Sequence, residues 1–156
     1  MPVDHGEFME EKIKIANTLV AYLKAIYTIH QQNHWLSKGD HFYGNHLLFQ
    51  RLYESAQEDL DSIAEKCIGI FGEDSINYNF QLKITQNIMV KYVSQKGLKQ
   101  SLLVEKDFLK ILKTIYVLLK EKEFMTLGLD DMIMSIYSKR EESVYLLQQA
   151  LGIENE

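Results

Sequence analysis

Cysteine and proline are almost missing from this chain of 156 residues, which has one of each and eight glycines. Their scarcity excludes collagen, disulfide scaffolds and long proline-rich tails. Cys67 has no partner within its own chain, which fits a reducing compartment such as the cytoplasm. No apolar run approaches the roughly 18 residues needed to cross a bilayer. The opening MPVDHGEFMEEK has four acids and one lysine where a secretory signal has a basic start and an apolar run. A soluble, non-exported protein with no membrane partner is expected.

Basic arms are also lacking at both ends, and the net charge is −5. That opposes non-specific nucleic-acid binding, which needs clustered Lys and Arg. The charge is uneven. Residues 1–78 carry 12 acids against 6 bases, whereas residues 79–156 carry 10 acids against 11 bases. What the chain has is apolar residues, 46% of the total. Its length suits a single globular domain spanning 1–156.

With proline only at Pro2, nothing later imposes a helix break. Apolar residues recur at three- and four-residue spacing and predict four long helices. The first runs from about Glu7 to Ser37, with Ala16, Leu19, Val20, Leu23, Ile26, Tyr27, His30 and His34 along one face. Gly39 ends it, and Asp40 is placed to cap the next. The second runs from about His41 to Phe71, with Phe49, Leu52, Ala56, Leu60, Ile63, Cys67 and Ile70 as its stripe. A less regular crossover over 73–97, with a short helix near 80–93, leads to a third helix over 98–121. The fourth covers 129–151, with Gly128 and Gly152 as punctuation. Short connections at either side of one long crossover predict an all-α, ferritin-like four-helix bundle.

Ferritin-like bundles often hold iron through Glu-x-x-His pairs in the core, and that spacing does not occur here. Instead, two imidazoles and two carboxylates, His34, His46, Asp61 and Glu65, flank the turn between the first two helices. This donor set suits Fe(II), Mn(II) or Zn(II). Asp61 and Glu65, four apart, share one helix face. That face lies roughly 140° to 180° from the apolar stripe, counting about 100° per residue. A solvated face is the ordinary reading of such a pair. The alternative is a second subunit whose histidines complete the site. His30 shares the His34 face and reads as mainly structural; His5 and His41 read as exposed. Trp35, beside His34, is a packing residue within reach of any redox chemistry there.

The run His34-Trp35-Leu36-Ser37-Lys38-Gly39, then Phe42, His46 and Asp61-Ser62-Ile63-Ala64-Glu65, resembles the signature of the Dps family of mini-ferritins. Asp130-Asp131 and Val144-Tyr145-Leu146-Leu147 are similar to that family's last helix, with Tyr145 where many members have Trp. The resemblance implies a twelve-subunit cage with ferroxidase sites at two-fold interfaces. His34 and His46 of one subunit would face Asp61 and Glu65 of its neighbour. Fe(II) would be oxidised there by hydrogen peroxide, or more slowly by oxygen, and stored as Fe(III) mineral.

One position departs from the family pattern: Gln50 stands where Asp is usual. A neutral amide is a poorer ligand for a hard cation, so one iron position is weakened unless Glu54 substitutes. Alternatives are a single metal, zinc in place of iron, or a cage whose site has decayed. Gly44 loosens the start of the helix that carries His46, costing up to about 1 kcal/mol relative to Ala. The lysine-rich tail used for DNA binding in this family is missing, and Lys96, Lys99, Lys106, Lys110 and Lys113 read as a solvated face.

Overall fold

The computed structural model describes the backbone of residues 5–153 and the side chains of residues 11–153. Pro2, the His5 side chain and the acidic side chains before Glu11 lie outside them. Five α-helices follow in order: α1 His5–Leu36, α2 Phe42–Phe71, α3 Tyr78–Met89, α4 Gly97–Glu121 and α5 Leu127–Leu151. Short 3-10 turns at Glu73–Ser75 and Val90–Tyr92 flank α3. Among the described residues no strand occurs, and no helix is long and apolar enough to cross a membrane.

Helices α1, α2, α5 and α4 stand at the corners of a square. Each touches its two neighbours, α1 and α5 lie diagonally apart, and α3 covers the outside of α1. The central helix is therefore α1, buried on several sides, with Leu19, Leu23, Ile26 and Ile29 inside. Ala16, Ala21 and Ala25 are fully buried as well, and such small side chains let neighbours approach closely. Its apolar residues spread round the circumference because α2, α3 and α4 each need a face.

Two asparagines on α1 clamp the ends of the crossover. Asn17 donates to the Ser75 carbonyl and accepts from the Asn77 amide and from Gln81. Asn33 pairs with both the amide and the carbonyl of Gly97. The two are 16 residues apart, about 24 Å along the helix, so the crossover must travel most of the bundle's length. Helix α4 therefore starts at the same end as α2. Gly72 (φ 93°) and Gly97 (φ 62°) make the left-handed turns where the crossover leaves α2 and enters α4.

Two termini differ from expectation. Asp40 does not cap α2: the N-cap is His41, without a side-chain bond, and the Phe42 amide bonds the Gly39 carbonyl instead. The backbone turn already satisfies that donor, so a side-chain cap has nothing to take. The last helix begins at Leu127 rather than Leu129, because Thr126 accepts from the Leu129 amide. Gly128 thus lies inside the first turn.

Candidate metal centre

The reversal between α1 and α2 brings His34 and His46 together. Their rings stack with centroids 3.7 Å apart and planes 16° from parallel. Each Nδ1 meets the other residue's backbone carbonyl, at 2.7 Å from His34 and 2.9 Å from His46. A carbonyl only accepts, so each Nδ1 carries a proton, and in the neutral ring Nε2 holds the lone pair. That tautomer is the one suited to a metal ligand, held by its second bond. Phe42 stacks on His46 at 5.0 Å, and the edge of Tyr53 meets His34 at 5.3 Å.

Asp61 and Glu65 are exposed on α2, as the helix geometry implied, and His41 is exposed too. Asp61 lies 15 residues beyond His46 on the same straight helix, about 22 Å away, and Glu65 about 28 Å. One chain therefore cannot bring the imidazoles and these carboxylates onto one ion. Among the described residues no three His, Cys, Asp or Glu side chains gather closely enough to hold a metal. Gln50 and Glu54 engage each other, the amide donating to the carboxylate at 3.0 Å. Trp35 is 64% exposed and makes no ring contact with either imidazole. Leu36, Phe42, Tyr43 and Leu47, from the same reversal between α1 and α2, are exposed as well. A cluster of large apolar side chains left open to water marks a surface for association.

A second cluster was not foreseen. Each bundle helix contributes one buried ionisable side chain to it: His30 from α1, Asp59 from α2, Glu105 from α4 and Arg140 from α5. Arg140, with no exposed surface, donates to Glu105 Oε1 (3.1 Å) and Ser55 Oγ (2.6 Å), and its Nε lies 3.4 Å from Asp59 Oδ2. His30 Nε2 bonds the same Glu105 oxygen at 2.8 Å, and its Nδ1 meets Ser101 Oγ, which also accepts from Asn33. His30 is thus structural. The bundle interior, where ferritin-like carboxylate proteins hold paired metals, is occupied here by a guanidinium. Burial pushes the Asp59 carboxyl above its usual range despite Arg140 and Lys139 beside it. Buried Cys67 is a packing residue whose thiol burial pushes up to about 12. The sequence signal for the cluster was the placement of Asp59, Glu105 and Arg140 within apolar stripes, as between Leu102 and Phe108 or between Ile136 and Leu147.

No protein-family model matches the chain. A curated relative does: DNA protection during starvation protein 2 of Bacillus anthracis is 23% identical over 146 residues, covering 92% of this chain and 98% of the relative. Among solved structures, Dps from Thermosynechococcus elongatus superposes with a TM-score of 0.76 at 16% identity, over 94% of this chain and 93% of that one. The chain shares the fold of Dps proteins. Dps from Vibrio cholerae O1, described as one of a broad superfamily of ferritin-like diiron-carboxylate proteins, gives a TM-score of 0.74 at 18% identity, over 92% and 90% of the two chains. DpsC from Streptomyces coelicolor gives 0.75 at 17% identity, over 100% and 92%. The expected all-α, ferritin-like Dps fold is borne out, with the short helix α3 in its crossover.

Proposed function

We propose that this chain is a Dps-type mini-ferritin, the subunit of an iron-storing cage that oxidises Fe(II) at sites shared between subunits. The observation that carries the reading is the separation of two complementary half-sites along α2, the first completed by His34 from α1. The imidazole pair turns its Nδ1 atoms to backbone carbonyls and leaves Nε2 for a metal, and the exposed carboxylate pair about 22 Å away has no partner among the described residues. In a two-fold pair, residue i faces j and j faces i. Two copies of α2 set antiparallel would therefore place the histidines of each against Asp61 and Glu65 of the other. The exposed Trp35, Leu36, Tyr43 and Leu47 supply apolar surface for that contact.

Iron is here substrate and cargo. Carboxylates favour Fe(III) over Fe(II), so Asp61 and Glu65 make electron loss easier, while the imidazoles hold Fe(II) in place. Hydrogen peroxide, or oxygen more slowly, takes the electrons, and the Fe(III) product enters a closed cavity, twelve subunits by family resemblance. The acidic first half of the chain attracts Fe(II) and counts against DNA as a partner. The chain acts as one domain in the cytoplasm.

The reading is tested by adding Fe(II) without oxygen and then peroxide. Fe(III) absorbance should appear with the unmodified protein and vanish in Asp61→Ala/Glu65→Ala. No Fe(III) from the unmodified protein would contradict it. The bond from Gln50 to Glu54 supports a second reading, a cage with an impaired site that binds one metal, or zinc or manganese, and turns over little iron. Normal assembly without iron oxidation would favour that alternative.

A further inference from the structure

The two imidazoles belong to a continuous ladder of five rings. Phe42 stacks on His46, His46 on His34, the edge of Tyr53 meets His34 at 5.3 Å, and Tyr27 meets Tyr53 edge-on at 5.6 Å. The ladder runs from the exposed start of α2 into the seam between α1 and α2. Two of its members, Tyr53 and Tyr27, can give up an electron at modest cost. They differ in one respect. Gln31 donates a hydrogen bond to the Tyr27 oxygen at 3.0 Å, which holds that ring's electrons more tightly. Tyr53 receives no such bond among the described residues, and it is the tyrosine in contact with a candidate ligand.

We propose that Tyr53 is an electron donor to the imidazole site, giving the second electron when peroxide meets a single bound Fe(II). The inference rests on the ferroxidase reading above. Peroxide needs two electrons to become water, whereas one Fe(II) gives one. Gln50 is neutral and is bonded to Glu54 beside His46, which disfavours a second iron there, so the case considered is that of one bound iron. Without another donor, cleavage of the O–O bond would release a hydroxyl radical. With Tyr53 the step balances: Fe(II), hydrogen peroxide, the phenol and one solvent proton give Fe(III), a phenoxyl radical and two waters. The O–O bond and the phenolic O–H bond break. Fe(II) and Tyr53 each lose one electron, and peroxide gains both. Trp35, the neighbour in sequence, points into the open and has no ring contact with the pair.

The test loads the assembled protein with one Fe(II) per subunit, adds one equivalent of peroxide and freezes the sample. Three signals are read: Fe(III) absorbance, the organic-radical resonance and spin-trapped hydroxyl radical. The unmodified protein and Tyr27→Phe should give Fe(III) and a tyrosyl signal with little trapped hydroxyl. Tyr53→Phe should still give Fe(III), lose the tyrosyl signal and raise trapped hydroxyl. Tyr145→Phe, exposed on α5, should behave as the unmodified protein. Normal Fe(III) with an unchanged radical in Tyr53→Phe would overturn the role of Tyr53 and leave the ferroxidase reading standing. No Fe(III) from the unmodified protein would defeat that reading itself, and this inference with it.

Discussion

Replacing Arg140 with Met removes a fully buried cation from the centre of the bundle and leaves its volume roughly filled. The guanidinium lies 3.1 Å from Glu105 and 3.4 Å from Asp59. Each pair is worth about 5 kcal/mol at an effective dielectric constant of about 20. Most of that is offset by the cost of taking the ions out of water. Removing the cation leaves two carboxylates without it, and breaking such a buried pair costs about 3 to 5 kcal/mol. For a chain of this size that lowers Tm by roughly 6 to 20 °C. Urea unfolding followed by circular dichroism, at one fixed protein concentration, would measure it. The control is Arg140→Met with Asp59→Asn and Glu105→Gln, which removes both carboxylate charges and keeps an amide to bond His30. That variant should recover most of the loss, since a neutralised cluster carries no uncompensated charge. A single-variant cost below about 1 kcal/mol, the range of exposed ion pairs, would show that the cluster is not dry and refute the reasoning.

Two further outcomes follow from the same structure. The Asp59 carboxyl is raised above its usual 3.8 chiefly by burial, so its contribution to stability is full at low pH and lost as pH rises through the folded value. Asp59→Asn should therefore flatten the decline above pH 3.8, seen in unfolding curves collected from pH 3 to 7; an identical slope would count against it. At Gly44 an added Cβ would meet nothing within 4 Å, and the residue is helical, so Gly44→Ala should raise stability by about 0.5 to 1 kcal/mol. A loss in thermal denaturation would mean that the start of α2 needs glycine for another reason.

The fold was largely legible in the residue pattern, and so were the candidate ligands, for different reasons. Long helices with three- and four-residue apolar spacing and a single proline leave few architectures, and the crossover selected one. Asp61 and Glu65 could be placed outside the core by angle alone, because a helix is regular. The termini were harder. Whether Asp40 or the Gly39 carbonyl meets the first amides of α2 depends on turn geometry that residue type does not dictate. The buried cluster was hard to read, despite the place of its members within apolar stripes, because charged residues are usually surface residues. Asp59, Glu105 and Arg140 make sense inside only once all three are seen to meet. The contact of Tyr53 with His34 joins residues on two helices, and no spacing within either one encodes it.

The shared site is tested most directly by complementation between subunits. One variant, His34→Ala/His46→Ala, lacks the imidazole half; another, Asp61→Ala/Glu65→Ala, lacks the carboxylate half. Each assembled alone should fail to oxidise Fe(II) with peroxide. When the two are unfolded together and reassembled at equal amounts, half of the two-fold pairs are mixed and each holds one intact site, so about a quarter of the unmodified activity should return. No recovery in mixed cages of normal mass, or full activity in either variant alone, would contradict a site built from two subunits.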